Sequence, residues 1–389
     1  MPHRNKRFTI PTDCGVNKMR VVILVRILWT AGAPKIAIHE ARTLQEDGHE
    51  VTLVFLRSSN LKGYGDLLAG LNCIVVSEDG SSAFTPIYDR VTRLFAPDRG
   101  SESRVDYNLL RRFPDIAKEL HADLIICHDQ WAGIAGYFSK RKYGIPYRVF
   151  LHEQIRDFEI PILGMAAEVA ERLVIMNANR VFAITEKVAA TARTHYPAPI
   201  TTNWPGMDRL RWESFENKER SLIACAFWDI GRRPTAYLPI ISAIDGFHLY
   251  FVGNWRIPSL REEMIREIAR EGLTGRVSIV THLTEGELMN MYDRVMFSLR
   301  FGFGEYGLGT ATVESIQKGV PLIVNSDLGT SRLVSTHRCG LVVDKIEPSQ
   351  ILEFIRASSN SQEYDRLRQG LATLTGKYTW ASHARELVR

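Results

Sequence analysis

The sequence predicts an α/β protein made of two doubly wound parallel sheets, one after the other. Short apolar runs alternate with helix-period segments along most of the chain. The alternation lapses once, near the middle, in a Pro-, Trp- and charge-rich stretch. A length of 389 residues, with 45% apolar and 24% charged side chains, suffices for two cores of ordinary composition.

The elements follow in order. After a polar, basic tail of about eighteen residues, MRVVILVRILW reads as a buried strand, TAGAPK as a loop and IAIHEARTLQEDGHE as a helix. Ile36, Ala37, Ala41 and Leu44 recur at helical spacing and Gly48 closes that helix, so with VTLVFL the segment forms one βαβ unit. CIVVS, ADLIICHD, YRVFLHE and NRVFAIT continue the strands, separated by helical stretches such as DYNLLRRFPDIAKELH and EVAERLVIMNA. Residues 197–221 break the pattern and read as an interdomain linker. A second series then runs LIACAFW, FHLYFVG, RVSIVTH, VMFSLRF, PLIVNSD and GLVVD. The expected divisions are a tail 1–18, a first domain 19–205, a second domain 206–370 and a closing helix 371–389. In such sheets ligands sit at the carboxyl ends of the strands, and a cleft between two domains is a favoured site.

Charge and cysteine content narrow the function classes. Lys and Arg number 49 against 44 Asp and Glu, a net charge of +5, which suits a basic cleft for phosphorylated ligands and does not demand a nucleic-acid partner. Cys14, Cys73, Cys127, Cys225 and Cys339 are scattered, without a CxxC pair, which argues against a disulfide framework or zinc site and for a reducing compartment. Cys73, Cys127 and Cys225 sit in apolar runs and read as core. MPHRNKRFTIPTDCGVNKMR has no apolar targeting core, and Val21 to Trp29 is interrupted by Arg26 and too short to span a bilayer. A cytoplasmic protein is expected, with membrane contact, if any, peripheral.

The densest motif is GFGEYGLGTATVESIQKG, Gly302 to Gly319. Gly302, Gly304 and Gly307 satisfy GxGxxG after a strand and before a helix, with Asp327 about 20 residues further on, formally a dinucleotide fingerprint. The helix Thr310 to Lys318 would present backbone N–H groups and a partial positive charge to a phosphate or diphosphate, with Thr310 and Thr312 as hydroxyl donors. Glu305 and Glu314 are candidate acid/base or hydroxyl-accepting carboxylates; a solvated Glu305 and a Glu314 that complements the helix terminus is the plainer alternative. Arg232 and Arg233, in FWDIGRRPTAYLP, follow the first strand of the second series and would neutralise a diphosphate, against the alternative of a solvated loop.

From about Met19 to the C-terminus the order of GAPKIAIHEARTLQEDGHEVTLV, ADLIICHD, NRVFAIT, PGMD, LYFVGN, GEYGLGTATVESIQKGVPLIVNSDLGTSRLV, CGLVVD and YTWASHARELV resembles the retaining GT-B glycosyltransferases, in particular glycosyltransferase family 4. The resemblance implies two Rossmann-like domains facing a central cleft, with the closing helix and Trp380 crossing back onto the first domain. It implies that Glu314 contacts the nucleotide ribose and that a preceding acid meets the donor sugar. In the family that acid stands eight residues before the second; here the position is Tyr306, with Glu305 one place earlier. The family's Gly-Arg pair is replaced by Ala226 and Phe227, and Arg232 takes the position of its lysine. Gly32 and Ala33 sit where the family has a Gly-Gly turn, His152 matches a strand-end histidine near the donor sugar, and Gly253 and Asn254 match a loop near the base.

The expected function is therefore retaining transfer of a sugar from a UDP- or GDP-linked donor to a hydroxyl acceptor, a glycan, polysaccharide or lipid-linked sugar, without a metal ion. Glu305, His152 and Arg232 are the expected catalytic residues. Glu314, Arg233, Gly32, Gly253, Asn254, Gly307, Leu308, Gly309 and Thr310 are expected to bind the donor. A nucleotide-dependent oxidoreductase, a sugar-nucleotide hydrolase or epimerase, and a catalytically impaired sugar-nucleotide-binding protein are the alternatives. The segment Glu78 to Asp106, with Phe84, Tyr88, Leu94, Phe95 and arginines Arg90, Arg93, Arg99 and Arg104, joined by Arg112 just beyond, is either a basic, apolar acceptor surface or an ordinary surface excursion.

Overall fold

The computed structural model describes residues 18–29, 32–58, 64–77, 107–153, 161–303 and 307–389. Glu305, Tyr306, Cys14 and the whole of the Glu78 to Asp106 segment lie outside them.

The first half forms a sheet of β1 (Arg20–Leu28), β2 (Glu50–Ser58), β3 (Asn72–Ser77), β4 (Leu124–His128), β5 (Tyr147–Leu151), β6 (Arg180–Ala183) and β7 (Ile200–Thr202). Its order is β3-β2-β1-β4-β5-β6-β7, and the strands pair in parallel. The connecting helices are α1 (Gly32–Glu46), a single turn α2 (Gly65–Leu68), α3 (Tyr107–Glu119), α4 (Gln130–Tyr143), α5 (Pro161–Asn177) and α6 (Glu186–His195). Central strands read as continuous apolar runs because helices cover both faces; Val21 to Val25 and Leu124 to Cys127 are accordingly buried throughout.

The second sheet has β8 (Glu219–Cys225), β9 (His248–Val252), β10 (Val277–Val280), β11 (Val295–Arg300), β12 (Leu322–Asn325) and β13 (Gly340–Val343) in the parallel order β10-β9-β8-β11-β12-β13. Around it lie α7 (Leu238–Ala243), α8 (Pro258–Arg270), α9 (Glu285–Arg294), α10 (Thr310–Gln317), α11 (Ser331–His337), α12 (Pro348–Ser358), α13 (Ser361–Lys377) and α14 (Trp380–Val388).

Three sequence expectations change. Residues 197–221 are not all linker: Ile200–Thr202 add an edge strand to the first sheet and β8 begins at Glu219. A strand of three residues, two of them threonine, is too short to show a period. The closing segment is two helices, broken at Tyr378 and restarted by a capping box in which Thr379 and Ser382 exchange side-chain contacts with each other's backbone. Finally, Cys73 and Cys225 are only partly buried, whereas Cys127 is fully so; Cys225 ends β8 and lines the cleft described next.

α14 packs back on α1 of the first domain. Trp380 stacks on His39, ring centroids 4.7 Å apart, and its backbone N–H donates to Asp208 at 2.7 Å. The crossing is thus held by an indole face and a polar anchor.

Candidate active site

Each sheet reverses its winding once, between β1 and β4 in the first and between β8 and β11 in the second. At such a reversal the two flanking loops diverge and leave a crevice at the carboxyl ends of the strands. Both crevices open into one cleft of about 500 Å³, lined from both domains. Its walls include Arg26, Lys35, Asp129 and His152 from the first domain and Cys225, Arg232, Asn254, Arg256, Arg300 and Glu314 from the second.

Asp129, just after β4, takes a left-handed φ of 84°, unusual for a non-glycine residue. It is fixed there by accepting from Ala132 N–H at 2.7 Å as the cap of α4 and from Arg26 Nε at 2.7 Å. Across the cleft, Gly309 (φ 64°) caps α10, and its carbonyl oxygen accepts from the Thr312 N–H at 2.8 Å, so Thr310 and Ala311 are the helix's leading residues toward the cleft. The starts of α1 and α10 approach closely: a side chain at Gly32 would meet Thr310 Cγ2 at 2.7 Å. Thr312 is not a free donor, because its hydroxyl bonds back to the carbonyl oxygens of Leu308 and Gly309 at 3.1 and 2.7 Å.

Glu314 is buried inside α10. Lys35 Nζ from α1 reaches Glu314 Oε1 at 2.5 Å and both Glu285 oxygens at 2.7 and 2.9 Å, while Tyr292 Oη donates to Glu314 Oε2 at 3.2 Å. Burial raises the Glu314 carboxyl, opposed by Lys35. Burial works against the Lys35 ammonium, but the two carboxylates prevail and push it up. At the end of the first sheet His152 Nε2 lies 2.9 Å from His128 Nδ1, and His128 Nε2 lies 2.6 Å from Glu40 Oε2. Burial, then His128, pushes the His152 imidazole down to about 3, so it is neutral at ordinary pH.

The cleft brings together His152, Arg232, Glu314, Gly32, Gly253, Asn254, Gly307, Leu308, Gly309 and Thr310. Arg233 is not among its lining residues; with a left-handed backbone (φ 43°) its guanidinium sits 4.9 Å from the centre of the Phe303 ring. Sequence reasoning missed Arg300, buried at the end of β11, and Arg256, whose Nε and Nη2 are buried without a hydrogen-bond partner among the described residues. It also missed Lys35, Glu40 and His128. Only the inward-facing charge of Arg300 at the end of the apolar run VMFSL was available as a signal.

Residues 32–203 match the family model described as "Glycosyl transferase 4-like domain". Solved structures of similar form cover 94 to 95% of the chain. The Anabaena protein HepE, in complex with UDP and glucose, aligns with TM-score 0.72 at 16% identity over 95% of this chain and 98% of its own. Sucrose-phosphate synthase from Thermosynechococcus elongatus aligns with TM-score 0.73 at 12% identity over 95% and 98%. WaaG, a glycosyltransferase of lipopolysaccharide biosynthesis, aligns with TM-score 0.66 at 14% over 94% and 98%. The chain has the GT-B fold. No curated protein matches the sequence significantly. In the GT-B frame the cleft between the two sheets is the interdomain cleft, and α14 is the helix that returns to the first domain. Among the described residues no cluster of His, Cys, Asp and Glu could hold a metal ion, and no helix is long and apolar enough to cross a membrane.

Proposed function

We propose that the protein is a glycosyltransferase that moves a sugar from a nucleotide-sugar donor to a hydroxyl acceptor with retention of anomeric configuration. The observation that carries the proposal is the meeting, in one interdomain cleft, of the α10 start with the cationic side chains of Arg232, Arg300 and Arg256. The demanding step is departure of a nucleoside diphosphate from an oxocarbenium-like sugar, and preorganised positive charge stabilises the charge that develops there. Arg232, Arg300 and the Gly307 to Thr310 backbone would meet the diphosphate; Glu314 would accept from the ribose hydroxyls; His152 would contact the sugar, with Glu305 as the second sugar-side residue. HepE bound to UDP-glucose is the precedent for such a donor in this fold. The neutralising charges come from the chain itself, so the reaction is proposed to need no metal ion. The acceptor is proposed to be a glycan or lipid-linked sugar.

Ribose would have to share Glu314 with Lys35, which makes the Lys35 contact part of donor entry. The test is a panel of UDP- and GDP-sugars with varied hydroxyl acceptors in the presence of a chelator, followed by release of nucleoside diphosphate and the anomer of the product. Transfer with retention supports the proposal. Binding with neither transfer nor slow donor hydrolysis would leave a sugar-nucleotide-binding protein in its place.

A further inference from the structure

Four side chains form a hydrogen-bonded line from the cleft to the returning helix. His152 Nε2 meets His128 Nδ1 at 2.9 Å, His128 Nε2 meets Glu40 Oε2 at 2.6 Å, and Glu40 Oε1 meets His383 Nε2 at 2.7 Å. His383 Nδ1 then lies 2.9 Å from the carbonyl oxygen of Trp204. Glu40, His128 and His383 are buried to within about 1% of complete exclusion. His383 belongs to α14 and Glu40 to α1, so the line forms only when the returning helix is docked.

The protons of this line can be counted. Trp204 contributes a carbonyl, which only accepts, so His383 Nδ1 carries a hydrogen. Each of the three remaining bonds also needs one, giving four hydrogens in four bonds. Three neutral imidazoles and one carboxylic acid hold four titratable hydrogens, and so do two neutral imidazoles, one imidazolium and one carboxylate. The electrically neutral line is thus saturated, with none left for His152 Nδ1, the one ring nitrogen of the set outside it. A fifth proton would add an uncompensated charge to a buried network, which is strongly disfavoured. Burial alone would raise the Glu40 carboxyl, but His128 and His383 hold it down to about 2.

We infer that Glu40, His128 and His383 are positioning residues that lock His152 in its Nε2–H tautomer, leaving Nδ1 as a pure hydrogen-bond acceptor for a hydroxyl of the donor sugar. The identity of that hydroxyl rests on the glycosyltransferase reading; the tautomer does not. The inference also makes the docking of α14 a condition for a correctly oriented site.

The test is long-range ¹H–¹⁵N spectroscopy of the full-length chain labelled at histidine, with no substrate added. The expected result is one His152 tautomer at neutral pH, with a protonated Nε2 and a bare Nδ1. His128→Phe removes both ring nitrogens at similar volume; it should release the tautomer and lower kcat about tenfold or more, with a smaller change in donor KM. Combined with His152→Ala, it should be no slower than His152→Ala alone. Glu40→Gln can still accept from His128 and donate to His383, so it should keep the tautomer and lose less activity than Glu40→Leu. An Nδ1–H tautomer or an imidazolium at His152 in the unaltered protein overturns the inference, as does a Glu40→Gln protein that loses the tautomer while remaining folded by its thermal melt. The expected tautomer without any sugar transfer would instead remove the glycosyltransferase reading and leave the positioning line standing.

Discussion

At the scale of single residues, the most exacting electrostatic arrangement is Lys35 between Glu285 and Glu314, the ammonium 10% and the Glu314 side chain 7% exposed. Breaking a buried pair by removing one partner leaves the other charges unmatched, at a cost of about 3 to 5 kcal/mol. Lys35→Met is expected to lower unfolding free energy by that order in urea titration, and adding Glu314→Gln should recover part of the loss. His39 gives a pH dependence. Burial, with Lys35 nearby, pushes its imidazole down to about 4 from 6.5. Between those values the unfolded chain binds the proton and the folded chain does not, so stability falls as the pH drops through this window and is fully retained above it. Allowing for its partial exposure, the loss is about 2 kcal/mol. His39→Phe should flatten the decline of the urea midpoint from pH 6.5 to 4. Little of this was legible in sequence: Glu314 stood out by its motif, but Lys35 lies 279 residues away and reads as an ordinary helix lysine. Glu40 and His383 are likewise paired across 343 residues, a separation that no local pattern encodes.

At the scale of elements, twelve of the thirteen strands among the described residues follow from apolar runs bounded by turn residues, because buried parallel strands need apolar side chains on both faces. β7 escaped because an edge strand with two threonines has no such run. The glycine turns were legible as turns, although their tightness was not. Gly253 has φ 118°, and a Cβ there would lie 2.0 Å from the Ala226 carbonyl oxygen. Gly206 lies under the returning helix, where a Cβ would sit 2.3 Å from Trp380 Cγ and 2.4 Å from its backbone nitrogen. Gly206→Ala must therefore displace the start of α14 and is expected to cost about 1 to 3 kcal/mol. A thermal melt reads the effect, and a melting temperature equal to that of the unaltered protein would show that α14 is not seated there.

At the scale of the molecule, two sheets with their reversals turned toward each other produce one cleft, and Arg26, Lys35, Arg232, Arg256 and Arg300 line it. The sequence indicated this arrangement through two successive α/β series and a motif at the carboxyl end of a strand. It could not indicate that Arg300 and Arg256 join Arg232, since their convergence depends on the packing of β9 and β11 beside β8. The most direct test is calorimetric titration of UDP and GDP, with NAD as a control, into the full chain in the presence of a chelator, repeated on Arg232→Ala. The account predicts that one nucleoside diphosphate binds with one-to-one stoichiometry, that NAD does not, and that Arg232→Ala weakens binding about tenfold, as loss of a charge-assisted contact would. Binding of NAD in preference to either diphosphate, or diphosphate binding unaffected by Arg232→Ala, would contradict it.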